Sequence, residues 1–181
     1  MDNVNNLISK LGDVMQLAFV PKDVQAELRY WTETMGVGPF YLLDHIQTIR
    51  TLYRGENANI DFSVYIGYWG DIQIEIIEQH NDTPSIYKSW LDENREGLHH
   101  VCVVVEDIKK ARQICVDAGI QIEQEVDLVG GGGAIYVDAG GGQGHMVELI
   151  QLMPEGLAYF DVMKAAARSW DGTNPIIKAG E

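Results

Sequence analysis

Two cysteines in 181 residues, Cys102 and Cys115, are too few for a disulfide framework, and both fall in apolar strand or helix patterns. They are expected as buried free thiols in a reduced, cytoplasmic setting. Basic residues are also scarce: 13 Lys and Arg stand against 27 Asp and Glu, a formal charge of −14. No basic run exists that could follow a phosphate backbone, which excludes nucleic acid as an expected partner. No apolar stretch approaches the roughly 20 residues needed to span a bilayer, and "MDNVNNLISKLGD" lacks the basic start and continuous apolar segment of a secretory signal. A soluble protein without a membrane partner is expected. At 46% hydrophobic and 22% charged residues, the chain suffices for one well-buried domain or two small fused modules.

The patterning that is present favours two modules. "MQLAFV" (15–20) is a short apolar strand that breaks at Pro21. In "KDVQAELRYWTETMGVGPF", Val24, Leu28, Trp31 and Met35 recur at helical spacing, and Gly36 stops the helix. Strand-like runs follow in "FYLLDHI", "DFSVYIGYW" and "IQIEIIE", separated by "RGENAN" and "GD". Residues 81–97 are expected to form a connecting helix, with Thr83 as N-cap, Pro84 in the first turn and Gly97 at the stop.

The pattern then repeats. A shift of 84 lays "QLAFVPKDV" on "HVCVVVEDI", a shift of 83 lays "MGV" on "AGI", and a shift of 73 lays "IEIIE" on "VELIQ". The organisation read from this is an N-terminal segment 1–13, a first β-α-β-β-β module 14–80, the connecting helix 81–97, a second module 98–153, and a C-terminal helix and tail 154–181. That last helix carries Leu157, Phe160, Met163, Lys164 and Ala167 on one face. "GGGG" (130–133) and "GGG" (140–142) match no phosphate-binding signature and read as flexible loops.

Superposing the repeats pairs Gln16 with His100 and Glu75 with Glu148, all four on otherwise apolar strands. A buried carboxylate without a partner costs several kcal/mol, so two at matched positions need an explanation. A shared divalent cation supplies one: three oxygens and one imidazole nitrogen suit zinc, nickel, cobalt, manganese or iron(II). His100 is preferred to His99 because it aligns with Gln16, while strict alternation puts His99 on the opposite face, under a helix. Glu78 is the reserve for Glu75. His80 and His145 are expected to be solvated bystanders.

The stretches "AFVPKDVQAELRYWTETMGVGPF", "IQIEIIEQH", "GLHHVCVVVEDI" and "HMVELIQL" resemble the vicinal oxygen chelate superfamily, which includes glyoxalase I, methylmalonyl-CoA epimerase, extradiol dioxygenases and antibiotic-sequestering proteins. The resemblance covers roughly residues 14–153, and "EGLHHVCVVVEDI" looks most like the epimerase. It implies an α+β fold, two paired modules forming one cupped mixed sheet around a single metal held by Gln16, Glu75, His100 and Glu148. That ligand order is similar to eukaryotic-type glyoxalase I. Where such a glyoxalase holds glutathione with Arg, Asn and Arg, this chain has Val20, Gln79 and Glu96. The epimerase usually has His at the position of Gln16, and a dioxygenase needs that His as well. A coenzyme A ester would need cations; Arg50, Arg54, Lys109, Lys110 and Arg112 are the candidates.

The chemistry implied is proton transfer beside a metal-chelated carbonyl, with Glu148 as first choice for the base and Glu75 as the opposing acid or base. The substrate expected is a small carbonyl compound or acyl thioester, and the outcome an isomerase, lyase or epimerase reaction. The alternative from another class is a non-catalytic cup for a planar ligand, lined by Trp31, Tyr41, Tyr53, Tyr65, Tyr68 and Trp69. The resemblance also implies a homodimer.

Overall fold

The computed structural model describes residues 8–138 and 145–179. The "GGG" stretch at 140–142 lies outside the described residues. The first module runs β1 (Val14–Val20), α1 (Val24–Arg29), β2 (Phe40–Leu43), β3 (Thr48–Tyr53), β4 (Glu56–Asn57), β5 (Phe62–Trp69) and β6 (Ile72–Gln79). After α2 (Ile86–Asp92) come β7 (Gly97–Val104), α3 (Ile108–Asp117), β8 (Gln121–Leu128), β9 (Gly133–Asp138) and β10 (Met146–Gln151), then α4 (Pro154–Arg168) and β11 (Ile176–Lys178).

The fold is α+β. Among the described residues, eleven strands form one mixed sheet in the order β11-β2-β5-β6-β1-β7-β10-β9-β8-β3-β4. Each module supplies four consecutive strands, and antiparallel pairing of β1 with β7 joins the halves. The internal repeat extends to the helix caps: Asp23 accepts from Ala26 N, and Asp107, 84 positions on, accepts from Lys109 N and Lys110 N.

Alternation along the strands decides what lies inside the cup. On β1, Leu17 and Phe19 pack under α1 with Ile74 and Ile76 of β6, while Ala18 and Val20 join the inner cluster. On β10, Val147 and Leu149 pack under α3 with Val103, while Met146 and Ile150 face inward. Burying such side chains contributes roughly 1.5–3 kcal/mol each, which fixes register firmly, because a one-residue slip would exchange the two faces.

Several expectations need correction. "TIRTLY" forms β3, and β3 with β4 makes a hairpin that leaves its own module to extend the second one, Thr51 pairing with Val126. Its turn is Arg54 and Gly55, both at positive φ (50° and 84°), the geometry two-residue hairpins favour. The connecting helix is shorter than 81–97: Ser85, not Thr83, caps it by accepting from Tyr87 N and Lys88 N, and Thr83 Oγ1 donates to Asn59 O. Asn94 at φ 60° follows its end, so Gly97 begins β7 instead of stopping the helix. "GGGG" is a tight hairpin turn rather than a loose loop. Gly130, Gly131 and Gly132 all take positive φ, and a Cβ on Gly132 would lie 2.2 Å from Gln151 O. Among the described residues, no helix is long and apolar enough to cross a membrane. Cys102 and Cys115 are both free and buried.

Candidate active site

The sheet register gathers the four singled-out residues on two rungs that neighbour each other on the inner face, with the outward-facing Leu17 rung between them. One rung runs Gln73, Gln16, Cys102, Glu148 and Tyr136 across β6, β1, β7, β10 and β9; the next runs Glu75, Ala18, His100 and Met146. Ala18, fully buried, lies between Glu75 and His100, and its short side chain lets the two come within 3.9 Å of each other. Gln16 (4% exposed), His100 (0%) and Glu148 (5%) are buried, and the Glu75 side chain keeps 12% of its surface.

Nε2 of His100 lies 3.2 Å from Glu148 Oε2 and 3.9 Å from Glu75 Oε2. Gln16 Nε2 donates to Gln73 Oε1 at 2.5 Å, and Gln73 Nε2 donates to Tyr68 OH at 2.9 Å. This chain of amides orients Gln16 and leaves its Oε1 buried without a hydrogen-bond partner. An orphaned buried acceptor costs about 1–3 kcal/mol. On the other flank, Tyr87 OH donates to Tyr136 OH at 3.1 Å, and Tyr136 and Cys102 both hydrogen-bond Glu148.

The adjacent histidines are not separated as strict alternation predicts. Across from β7, Ala18 pairs with His100 and Phe19 with Leu98, so His99 is an extra residue, a β-bulge. Its ring does pack under a helix, 5.0 Å from Trp90 and 5.7 Å from Tyr87 of α2, yet its Nδ1 also sits 2.9 Å from His100 Nδ1. Burial lowers the His99 pKa to about 3, with the neighbouring His100 adding to the effect, so the ring is neutral. Ile86 O, 3.3 Å from His99 Nε2, can only accept. His99 therefore carries its proton on Nε2 and accepts at Nδ1 from His100, which directs the Nε2 edge of His100 at the two carboxylates.

The carboxylates are pushed in opposite directions. Burial and the nearby Glu148 charge raise the Glu75 pKa well above its ordinary value, against a hydrogen bond from Gln16. Burial would raise Glu148 too, but the hydrogen bond and charge of His100, with donors from Tyr136 and Cys102, bring it below the ordinary value. A divalent cation fits this donor set. The donor types suit the ion: Gln16 offers a buried oxygen with no hydrogen-bond partner, and at bonds of about 2.1 Å, which set neighbouring donors roughly 3 Å apart, the His100–Glu148 distance of 3.2 Å fits, while Glu75 at 3.9 Å stands farther out.

The model of the Glyoxalase/Bleomycin resistance protein/Dioxygenase superfamily matches residues 15–137, more than half of the chain. The chain belongs to this superfamily. Solved structures agree on the fold: a hypothetical protein from Bacillus halodurans (15% identity, TM-score 0.57, covering 78% of this chain and 95% of that one); a variant Streptomyces coelicolor methylmalonyl-CoA epimerase in complex with 2-nitronate-propionyl-CoA (16%, 0.53, 80% and 96%); and methylmalonyl-CoA epimerase from Mycobacterium tuberculosis (14%, 0.54, 82% and 93%). No curated protein matches the chain.

Within this superfamily fold, Glu75 and Glu148 form part of the wall of a cavity of about 230 Å³, which α4 borders with Gly156, Tyr159 and Phe160. Its aromatics are Phe62, Tyr136, Tyr159 and Phe160, not the six expected. Trp31 and Tyr65 pack under α1 on the outer face, Trp69 is exposed, Tyr68 holds Gln73, Tyr41 stacks on Tyr159, and Tyr53 sits at the edge of the inner cluster. Glu78 is no substitute for Glu75: alternation places it beyond the outer face, 3.5 Å from Tyr65 OH. Arg50, Arg54 and Arg112 are ion-paired with Asp127, Glu123 and Glu125. His145 is exposed.

His80 is exposed but engaged, accepting or donating at 2.7 Å to Ser63 Oγ and stacked 4.7 Å from His45. With Asp44 and His45 it forms a surface group that could hold a metal ion, the one set of three among the described residues whose ligand atoms all lie within 4.8 Å of one another; Glu75, His100 and Glu148 are spread more widely. That group is already occupied by protein partners: Lys178 on Asp44 at 3.2 Å and Asp61 on His45 at 2.6 Å. The residues that sequence reasoning missed are Gln73, Tyr136, Tyr87 and the contact role of His99. Gln73 was within reach, two positions before Glu75 on the same face.

Proposed function

We propose that this chain is a divalent-metal-dependent enzyme that removes a proton beside a chelated carbonyl and returns it, acting as an isomerase, epimerase or lyase of the glyoxalase and epimerase kind. Gln16, Glu75, His100 and Glu148 would hold the ion, whether zinc, nickel, cobalt, manganese or iron. When bound, the cation supplies a Lewis acid that polarises the substrate carbonyl and acidifies the neighbouring C–H. The observation that carries the proposal is geometric: two buried carboxylates, Glu148 and Glu75, face the Nε2 edge of His100 at 3.2 and 3.9 Å beside one apolar cavity. In this reading Glu148, held by His100, Tyr136 and Cys102, is the first choice for the base, and Glu75 is the opposing acid or base. Tyr136 and Cys102 hold Glu148 in place, and the amide chain from Tyr68 through Gln73 holds Gln16. Delivery to the opposite face of the same carbon gives epimerisation; delivery to the next carbon gives isomerisation.

The test is solvent isotope exchange. Metal-loaded protein in deuterated water is mixed with branched acyl thioesters and α-hydroxycarbonyl compounds, and α-deuteration is followed by NMR. Deuterium incorporation that requires both metal and Glu148 supports the proposal. Tight binding of these compounds without exchange favours a sequestering protein of the same fold. We further propose a homodimer; a 20.2 kDa particle by light scattering at micromolar concentration would exclude it.

A further inference from the structure

The cavity above Glu75 and Glu148 is lined by sixteen residues, of which those two alone are charged. No Lys, Arg or His borders it. The arginines that flank β8 are ion-paired with its carboxylates: Arg50 with Asp127, Arg54 with Glu123 and Arg112 with Glu125, at 2.8, 2.8 and 2.7 Å. A multiply anionic handle entering this cavity would find no Lys, Arg or His side chain to pair with, in a chain of net charge −14.

The far wall is a feature of the C-terminal region, outside the residues 15–137 that match the superfamily. α4 is fastened to the first module at several points. Met163 is 1% exposed, Lys164 pairs with Asp71 at 2.9 Å, and the Tyr159 ring meets Tyr41 at 6.4 Å. Trp170 lies so close over Gly38 that a Cβ there would stand 2.8 Å from the indole, and β11 adds in parallel to β2. The wall is held by the fold itself, and its shape is set by Gly156, Tyr159 and Phe160.

We infer that the substrate is a neutral, lipophilic carbonyl compound whose apolar end packs against α4, and that α4 sets its size. The inference rests on the proposed proton-transfer site for the carbonyl end. An apolar cavity of ~150 Å³ admits benzene, so about 230 Å³ leaves room for one ring and a few further carbons. Gly156 is a wall position open to substitution: a Cβ there would sit 3.7 Å from Leu152 Cδ2, an ordinary contact.

The experiment uses metal-loaded full-length protein and a series of α-hydroxymethyl ketones of growing alkyl length, from hydroxyacetone upward, ending with the phenyl ketone. A branched acyl-coenzyme A thioester and a glutathione hemithioacetal are the anionic comparators. Affinity should rise about fourfold per added methylene, the equivalent of ~0.8 kcal/mol for a buried CH₂, then level off as the cavity fills, with no dependence on salt. Gly156→Leu should weaken the phenyl ketone at least tenfold more than it weakens hydroxyacetone. Phe160→Ala should move the plateau to longer chains. Flat affinity along the series, tighter and salt-sensitive binding of the coenzyme A thioester, or two variants with unchanged size preference would overturn the inference. Failure of the proton-transfer proposal is separate: graded binding without α-deuteration refutes that chemistry and leaves the pocket assignment, whereas exchange confined to the thioester does the reverse.

Discussion

Replacing His99 by Phe separates a positioning role from simple packing. The substitution keeps an aromatic ring for Trp90 and Tyr87 to pack on, at 5.0 and 5.7 Å. It removes the acceptor 2.9 Å from His100 Nδ1 and the donor 3.3 Å from Ile86 O. Both rings are at most 1% exposed, so water cannot replace either partner. Each buried group left unsatisfied costs about 1–3 kcal/mol, so metal-free protein should lose roughly 2–4 kcal/mol of stability to urea. Loss of an outer partner to a ligating histidine typically weakens metal binding 10–100-fold, because His100 becomes free to move its proton to Nε2 and turn away. The assay is competition for zinc or nickel against a chromophoric chelator, beside urea unfolding of the apo form. His99→Asn keeps an acceptor at the position of Nδ1 and should recover most of the affinity. If His99→Phe loses stability yet binds metal as tightly as wild type, His99 only fills space and the relay is refuted.

Glu148→Gln keeps size and an oxygen donor but not basicity, so metal should stay bound while α-deuterium exchange falls about 10²–10⁴-fold; exchange at the wild-type rate would transfer the base role to Glu75. Gln73→Leu removes the acceptor that orients Gln16 and should raise the metal dissociation constant about tenfold or more, with no shift if Gln16 is not a ligand. His45 is exposed, and its hydrogen bond and charge attraction to Asp61 raise its pKa above 6.5. A histidine with a raised folded-state pKa contributes stability fully below about pH 6.5 and loses it as pH rises through the folded value. The His45 ring resonances should titrate above the ordinary range, and Asp61→Asn should lower their midpoint, with Asp44 still acting on the ring.

Much of the architecture was legible in the sequence because both modules alternate cleanly. Once Leu17, Phe19, Ile74 and Ile76 are given to the outer face, Gln16 and Glu75 can only face inward, and the matched Asp23 and Asp107 caps mark where each first helix begins. The hairpin at 48–57 was not legible, since Ile49, Leu52 and Tyr53 of "TIRTLY" do not alternate and the strand finds its partner in β8 of the other module. His99 was misplaced for a similar reason: a bulge is a property of two paired strands, and β7 alone shows unbroken alternation. Tyr136 was missed because it meets Glu148 through the β9–β10 register, which the sequence does not state. The aromatic lining was misassigned because the wall that completes the cavity comes from α4, beyond the repeat.

The most direct measurement is metal content by mass spectrometry after purification and saturation with zinc, nickel, cobalt, manganese or iron(II), on wild type, His100→Ala and His80→Ala. One equivalent of a divalent ion per chain is expected in wild type and in His80→Ala, and none in His100→Ala. An ion that survives His100→Ala but is lost from His80→Ala would lie at the surface group of Asp44, His45 and His80, and wild-type protein that takes up no ion would contradict the metal site at Gln16, Glu75, His100 and Glu148 outright.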